Sequence, residues 1–288
     1  MIIPGEPKTK ILNANTYEEE ICDYSFLPPD GKGFDTNFYR ADGVVFCKTD
    51  YIEVLFSNLQ FSGRKYILLT HQSDYPINKE RFEKRPPCIK KWFGYNIQHD
   101  HPDLHPIPHG MSVHKGYAKK YVSYDHEWFS DNAMRLASKK KRTDKVYCNW
   151  GDTNPHRKDI IPILEANGID YVFETGVDFR TYCENMSEYL FVISPPGNAP
   201  EAVRTFEALY MGSIPVVIDN LAYRYCDKLP IMKMPCTSPL VSRYASCDGY
   251  RELSKEKMDT FMKRFQDMEF TYEQLYWPYW RELIRSHL

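Results

Sequence analysis

The stretch FVISPPGNAPEAVRTFEALYMGSIPVV, residues 191–217, contains the three parts of a β-α-β unit. Its two apolar ends predict buried strands, and the segment between them has the apolar period of a helix. Pro200 suits the start of that helix because it lacks a backbone donor, and Gly212 suits its end because glycine adopts a left-handed conformation easily. The stretch therefore predicts two parallel strands joined by a helix, with a glycine-containing turn at the helix N-terminus.

Two charged residues, Arg204 and Glu207, interrupt the apolar pattern of this helix. The apolar stripe consists of Ala202, Val203, Phe206, Leu209 and Tyr210. The charged pair lies on the other side, three residues apart. The turn before the helix contains Ser194, Pro196, Gly197 and Asn198. The Arg204 guanidinium, the backbone N–H groups of this turn and the helix dipole are expected to converge on a diphosphate. Glu207 is expected to accept hydrogen bonds from a ribose. A surface ion pair between the two residues is the alternative.

Strands and helices also alternate in the rest of the chain, which predicts an α/β protein. In the first part, strands are predicted at 43–46, 65–70 and 89–97, a helix at 51–59, a loop at 98–110 and a helix at 126–138. In the second part, strands are predicted at 145–150 and 170–175, and helices at 157–166, 178–188 and 252–265, before a terminal helix through Tyr276, Trp277 and Trp280.

The basic run SKKKRTDK, residues 138–145, interrupts this alternation and is typical of a solvated linker. We therefore predict an N-terminal domain over residues 1–140, a C-terminal domain over 141–265 and a helical tail over 266–288. Two such Rossmann-like domains that face each other would bind ligands in the central cleft, at the carboxyl ends of both sheets.

Composition limits the function classes. Of the 288 residues, 42% are hydrophobic and 26% are charged, as in ordinary soluble proteins. The formal net charge of −2 gives no general attraction to nucleic acid. We expect a cytoplasmic protein without a membrane span, because no apolar run approaches about 20 residues and the start MIIPGEPKTK lacks a signal-peptide core. The eight cysteines form no CxxC pair, which favours buried thiols over disulfides or a zinc ribbon.

Three motifs of the second part resemble exostosin-like glycosyltransferases. They are SPPGN (194–198), RTFEAL (204–209) and GSIPVV (212–217), which follow the pattern PxG, RxxEAL and GxIPV. KKWFGYN (90–96) and LHPIPHG (104–110) resemble two segments of the first half of the same family. One departure is APEAV (199–203), where related sequences often carry an aspartate and a histidine.

This resemblance implies the GT-B fold, a UDP-sugar donor and inversion at the anomeric carbon. It matches Arg204 to the diphosphate arginine, Glu207 to the ribose carboxylate, and Asn154 and Arg157 to a second loop on the phosphate side. The compact form resembles the small glycosyltransferases of large algal viruses, a chlorovirus xylosyltransferase among them. It implies UDP-xylose as the donor, a fucose-containing oligosaccharide as the acceptor and the host cytoplasm as the location.

An inverting transfer needs a base that takes the proton of the acceptor hydroxyl. The strand KYILLT leads directly into HQSDY, which places His71 and Asp74 at the carboxyl end of a strand. We rank Asp74 first, His71 second and His109 third as the base. The alternative for Asp74 is a turn cap before Pro76.

Two further sequence patterns are similar to metal-binding motifs. Asp125-His126-Glu127 is similar to the DxD motif that binds Mn²⁺, but no apolar strand precedes it. The histidines at 99, 101, 105, 109 and 114 are separated by prolines and joined by no cysteine. We therefore expect no metal, and we expect one or two of these imidazoles to line the acceptor pocket.

Two other functions stay open at this point. A nucleotide-sugar epimerase has the same architecture and needs no acceptor. A non-catalytic glycan-binding protein would use its aromatic residues for sugar and would not need UDP. The motif residues and the paired domains favour the transferase, although fold alone does not establish chemistry.

Overall fold

The computed structural model describes residues 11–27, 40–112, 125–236 and 245–288. These residues form an α/β protein with two sheets, each of five parallel strands, and helices packed on them. The predicted α/β class and the parallel pairing are confirmed. This arrangement is compatible with the predicted pair of Rossmann-like domains.

The first sheet has its strands in sequential order. They are β1 (Tyr24–Phe26), β2 (Gly43–Lys48), β3 (Tyr66–His71), β4 (Ile89–Gly94) and β5 (Leu104–Pro106). The helices of this part are α1 (Ala14–Thr16), α2 (Ile52–Leu59) and α3 (Lys79–Glu83). Strand β5 lies within residues 98–110, which were predicted as a loop, because its prolines and histidines hide the alternation expected of a strand.

The two faces of the first sheet are covered by different parts of the chain. Right-handed connections between strands in sequential order all lie on one face. That face packs on α2 and α3 through Val45, Cys47 and Leu68. The other face, with Val44, Phe46, Ile67 and Leu69, packs on Tyr17 and on helix α9 (Trp277–Arg285) through Trp280 and Ile284. The C-terminal helix therefore completes the core of the N-terminal sheet.

The second sheet contains the stretch that predicts the fold. Its strands are β6 (Arg142–Cys148), β7 (Tyr171–Phe173), β8 (Tyr189–Ile193), β9 (Ile214–Ile218) and β10 (Met232–Met234), in the order β10-β9-β8-β6-β7. From β6 the chain passes to β7, the neighbour of β6 on one side. From β7 it returns across β6 to β8, the neighbour on the other side, so the strand order reverses between β6 and β8. In open parallel sheets, ligands bind at the carboxyl ends of strands beside such a reversal.

Helices cover both faces of the second sheet. They are α4 (His126–Ala137), α5 (Ile160–Ala166), α6 (Phe179–Met186), α7 (Val203–Tyr210) and α8 (Lys255–Asp267). Helices α4, α6 and α7 share one apolar cluster, and α5 and α8 share another. The predicted boundary at residues 140 and 141 stays a prediction, but α4, which it assigns to the first domain, packs on the second sheet.

Lys141 joins the ends of three of these helices. Its ammonium group donates hydrogen bonds to the carbonyl oxygens of Leu136, Ser187 and Met211, at the C-termini of α4, α6 and α7. A positive charge at a helix C-terminus is stabilised by the helix dipole. The basic run that predicts a linker therefore also contains a structural lysine.

The predicted β-α-β unit is confirmed, but its helix begins later than predicted. Helix α7 starts at Val203, with Ala202 as its N-cap, and not near Pro200. It ends as predicted: Gly212 has φ of 68°, and the N–H groups of Gly212 and Ser213 bond back to Leu209 and Ala208. Within the described residues, no helix has the length and apolarity that a membrane crossing requires.

Candidate functional site

The loop between β8 and α7 is held in place by hydrogen bonds from two residues that lie far from it in the sequence. Arg157 donates three hydrogen bonds to main-chain carbonyls, to Pro196 at 2.9 Å, Pro195 at 3.0 Å and Gly151 at 2.9 Å. Asn154 donates to the carbonyls of Pro196 and Gly197 at 3.3 and 3.4 Å. Both residues are buried, so the structure gives them a role in shaping this loop, and their contact with a phosphate stays a prediction.

Gly197 lies in the part of the loop that contacts Arg157. A Cβ atom at this position would stand 3.1 Å from Nη2 of Arg157, so glycine lets the loop approach the guanidinium. The N–H of Gly197 donates to the carbonyl of Ala199 at 2.9 Å. That donor is therefore engaged within the loop.

Arg204 lies in the first turn of α7, beside the point where the strand order reverses. Its Nε is buried, and within the described residues that atom has no hydrogen-bond partner. No ion pair of Arg204 is found in the same part of the chain. The positive charge of Arg204 contributes, after burial, to a pKa of about 10 for Arg157. Two guanidinium groups close enough to affect each other electrostatically favour the binding of an anion.

Glu207 lies one turn after Arg204 and is only 3% exposed. Glu207 therefore does not lie on the surface, as the alternative of a surface ion pair required, because Tyr182 of α6 covers it. The Tyr182 hydroxyl donates to Oε2 of Glu207 at 2.7 Å. Burial and the Glu207 carboxylate raise the pKa of Tyr182, so this hydroxyl keeps its proton. A ribose contact of Glu207 stays a prediction.

Ser194 belongs to a buried chain of hydroxyl groups. Its Oγ lies 3.0 Å from Oγ1 of Thr205, which lies 3.1 Å from the hydroxyl of Tyr223. Ser194 is 1% exposed, and its side chain joins the strand to the helix. The contact of Ser194 with a sugar donor stays a prediction. Its hydroxyl already lies within hydrogen-bond distance of Thr205.

The structure brings Asp74 to the loop that precedes α7. Oδ2 of Asp74 accepts a hydrogen bond from the side-chain amide of Asn198 at 3.0 Å, across a sequence separation of 124 residues. The Asp74 carbonyl accepts from the buried amide of Asn96 at 2.8 Å. Asn96 and Gln72 both have φ of 60°, a left-handed conformation that favours glycine and is often found at functional sites. The exposed Asp74 carboxylate is therefore fixed at the carboxyl ends of both sheets.

The other two candidate bases lie deeper. His71 is 1% exposed, and its ring lies 5.2 Å from Tyr95 and 5.3 Å from His109. Its Nε2 lies 3.2 Å from the carbonyl of Pro108, which only accepts, so Nε2 donates. His109 is half-buried, with Nδ1 3.2 Å from the Gly110 carbonyl. The geometry favours Asp74 as the group that reaches a ligand.

Sequence reasoning missed Glu201, which contacts both parts of the protein. It is 2% exposed, and Oε2 accepts from the backbone N–H of His109 at 3.0 Å. Oε1 accepts from the hydroxyl of Tyr225, and the main-chain carbonyl accepts from the Tyr95 hydroxyl at 3.1 Å. Burial raises the pKa of Glu201 to about 8, against the effect of its two donors. The departure from the family pattern at 199–203 was the only signal for it.

Two residues of the metal-like patterns, Asp125 and His101, make contacts within the fold. Asp125 caps α4 by accepting from the N–H of Trp128, and it forms an ion pair with Arg180. His101 packs on Phe82 and accepts from the N–H of Asp103. Among the described residues, no group of three histidine, cysteine or acidic side chains is placed to hold a metal ion, and His114 lies outside those residues.

Comparison with protein families and with curated proteins gives no assignment of function, so the proposal below rests on the residues of the site. No protein-family model matches this chain, and no curated protein matches it either.

Proposed function

We propose that this chain is an inverting glycosyltransferase of the GT-B type that moves a sugar from a UDP-sugar onto a hydroxyl of an acceptor glycan, without a metal ion. The observation that carries the proposal is Arg204, whose buried Nε has no partner within the described residues and lies beside Arg157 at the reversal of the strand order. An anion bound there would balance both charges. A sugar diphosphate supplies such a charge.

The chemistry uses groups from both parts of the chain. Asp74 takes the proton from the acceptor hydroxyl as that oxygen attacks the anomeric carbon. The bond from that carbon to the β-phosphate oxygen breaks, and UDP leaves with the electron pair. Arg204 stabilises the charge that develops on the leaving phosphate. Asn198 fixes the Asp74 carboxylate against the donor loop, which aligns the two reactants.

The donor and the acceptor are narrower proposals. UDP-xylose and a fucose-containing glycan rest on the resemblance of the motifs. A xylose and a glucose donor differ by one hydroxymethyl group, which a pocket distinguishes by a factor of about 10 to 200. We propose that Glu207 binds the ribose with the oxygen that faces away from Tyr182.

Calorimetric titration in EDTA tests the donor site. We expect UDP to bind at micromolar concentration. The affinities of UDP-xylose and UDP-glucose show which sugar is preferred, and the affinity of GDP shows whether the site prefers the uracil nucleobase. Arg204→Ala is expected to weaken UDP about 10-fold to 100-fold, because a charge-assisted hydrogen bond is lost. Arg251→Ala, at an exposed position paired with Asp248, is the matched control and should bind UDP as the wild type does.

Product analysis tests the reaction. Transfer with inversion that Asp74→Asn abolishes, while UDP binding persists, supports the assigned base. Conversion of a UDP-sugar without any acceptor would identify an epimerase instead. Binding of free glycan with no affinity for any nucleotide would contradict the transferase and favour a glycan-binding protein.

A further inference from the structure

Glu201 lies where loops from both sheets meet the start of the helix that carries Arg204. It precedes the N-cap of α7 and stands three residues before Arg204. Its carboxyl group is buried, with 2% of the residue exposed, and both of its oxygens accept hydrogen bonds from the protein. The proposed mechanism does not use it.

Each contact of Glu201 joins a different segment. The backbone N–H of His109, in the loop after β5, donates to Oε2 at 3.0 Å. The Tyr95 hydroxyl, just after β4, donates to the main-chain carbonyl at 3.1 Å. The Tyr225 hydroxyl, in the turn after β9, donates to Oε1. Two segments of the first sheet and one of the second are thereby attached to a single residue.

The loop after β5 depends on this attachment. Within the loop, the Pro108 carbonyl accepts from the Tyr17 hydroxyl at 3.1 Å and contacts His71 at 3.2 Å. The His109 ring packs edge-on against Tyr95 at 4.8 Å. The rings of Tyr17, Tyr95 and His109 therefore surround His71, which ends the strand that leads to Asp74. A shift of the loop relative to α7 would move the acceptor side relative to Arg204.

We propose that Glu201 is a positioning residue, whose carboxyl group fixes the first-sheet loops around His109 and Tyr95 against α7, so that the acceptor side and Arg204 are aligned for transfer. The inference rests on the proposed function. It assigns to Glu201 the alignment of the two reactants rather than the binding of either one. Misalignment by about 1 Å lowers turnover by up to about 100-fold.

Two substitutions distinguish alignment from simple stability. Glu201→Ala removes both side-chain contacts. Glu201→Gln keeps an acceptor for the His109 N–H, and its amide N–H can donate to the Tyr225 hydroxyl, which then accepts, as it would from a protonated glutamate. We expect Glu201→Ala to lower kcat by about 10-fold to 100-fold at saturating donor, while the dissociation constant for UDP changes by less than about 2-fold. We expect Glu201→Gln to restore kcat to within about 3-fold of wild type.

A third substitution covers the case in which Glu201→Ala does not fold. Tyr95→Phe removes only the hydroxyl that contacts the Glu201 carbonyl, and a kcat loss of about 3-fold to 10-fold with unchanged UDP affinity is expected. A folded Glu201→Ala protein with wild-type kcat would overturn the inference, and so would a loss of kcat that Glu201→Gln does not restore. If the wild type neither binds UDP nor transfers sugar, the proposed function itself has failed and this inference falls with it.

Discussion

Replacement of Glu201 by glutamine is expected to change how the stability of the protein depends on pH. Burial raises the pKa of this carboxyl from its ordinary value of 4.5 to about 8 in the folded protein. Between these two pH values the folded protein binds more protons than the unfolded chain, so wild-type stability falls as pH rises. Glutamine does not ionise, so the stability of the Glu201→Gln variant does not contain this pH-dependent contribution.

The size of the effect follows from the shift. Each pKa unit corresponds to about 1.4 kcal/mol, so the free energy of unfolding of Glu201→Gln relative to wild type is expected to rise by about 3 kcal/mol between pH 5 and pH 7.5. The groups that surround the carboxyl are the phenols of Tyr17, Tyr95, Tyr223 and Tyr225, the thiol of Cys226 and the loop of His109. Within the described part of the chain, no lysine or arginine forms an ion pair with it to offset the burial.

Urea unfolding at several pH values, followed by tryptophan fluorescence, measures this difference. Glu256→Gln, at an exposed position of α8, is the control and should follow the wild-type pH dependence. Parallel pH profiles for wild type and Glu201→Gln would refute the reasoning, because they would mean that Glu201 is ionised in the folded protein at neutral pH.

Three further predictions concern the backbone, the proposed ribose side and the core. Gly110→Ala should destabilise the protein more than Gly168→Ala, by at least ~1 kcal/mol in urea unfolding, because both have positive φ but of these two only at Gly110 would a Cβ clash with a main-chain oxygen, that of Leu12; equal losses would contradict this. Tyr182→Phe should cost about 1 to 2 kcal/mol, since the buried Glu207 loses a donor, and chemical denaturation with unchanged stability would show that the bond is weak. Trp280→Ala should cost about 3 to 5 kcal/mol and expose the first sheet to hydrogen exchange, whereas unchanged protection there would show that α9 is dispensable.

The β-α-β unit could be predicted because its signals are local. Apolar strands, the period of α7 and Gly212 at its end all lie within one short stretch. The start of α7 could not be predicted in the same way. Arg157, which lies 38 and 39 residues before the two prolines, donates to both of their carbonyls in the preceding loop, and the helix begins only at Val203.

The candidate site was partly predictable for a related reason. Asp74 was expected at the carboxyl end of a strand, and its contact with Asn198 brings together two residues that were both named from sequence. Glu207 was expected to face a ligand, but periodicity along one helix does not reveal that Tyr182 of a neighbouring helix covers it. Glu201 has its partners 24, 92 and 106 residues away, so no local pattern indicates that it is buried.

The position of α9 has a consequence for how the chain is made. Strand β5 ends at Pro106, but the helix that covers one face of the first sheet begins at Trp277. At ~5–20 residues per second, a ribosome needs roughly 10 to 35 s to synthesise the chain between these points. During that time Val44, Phe46 and Ile67 lack their final partner. The nascent N-terminal part is therefore expected to leave this apolar face uncovered until α9 emerges, and such a face favours chaperone binding during synthesis.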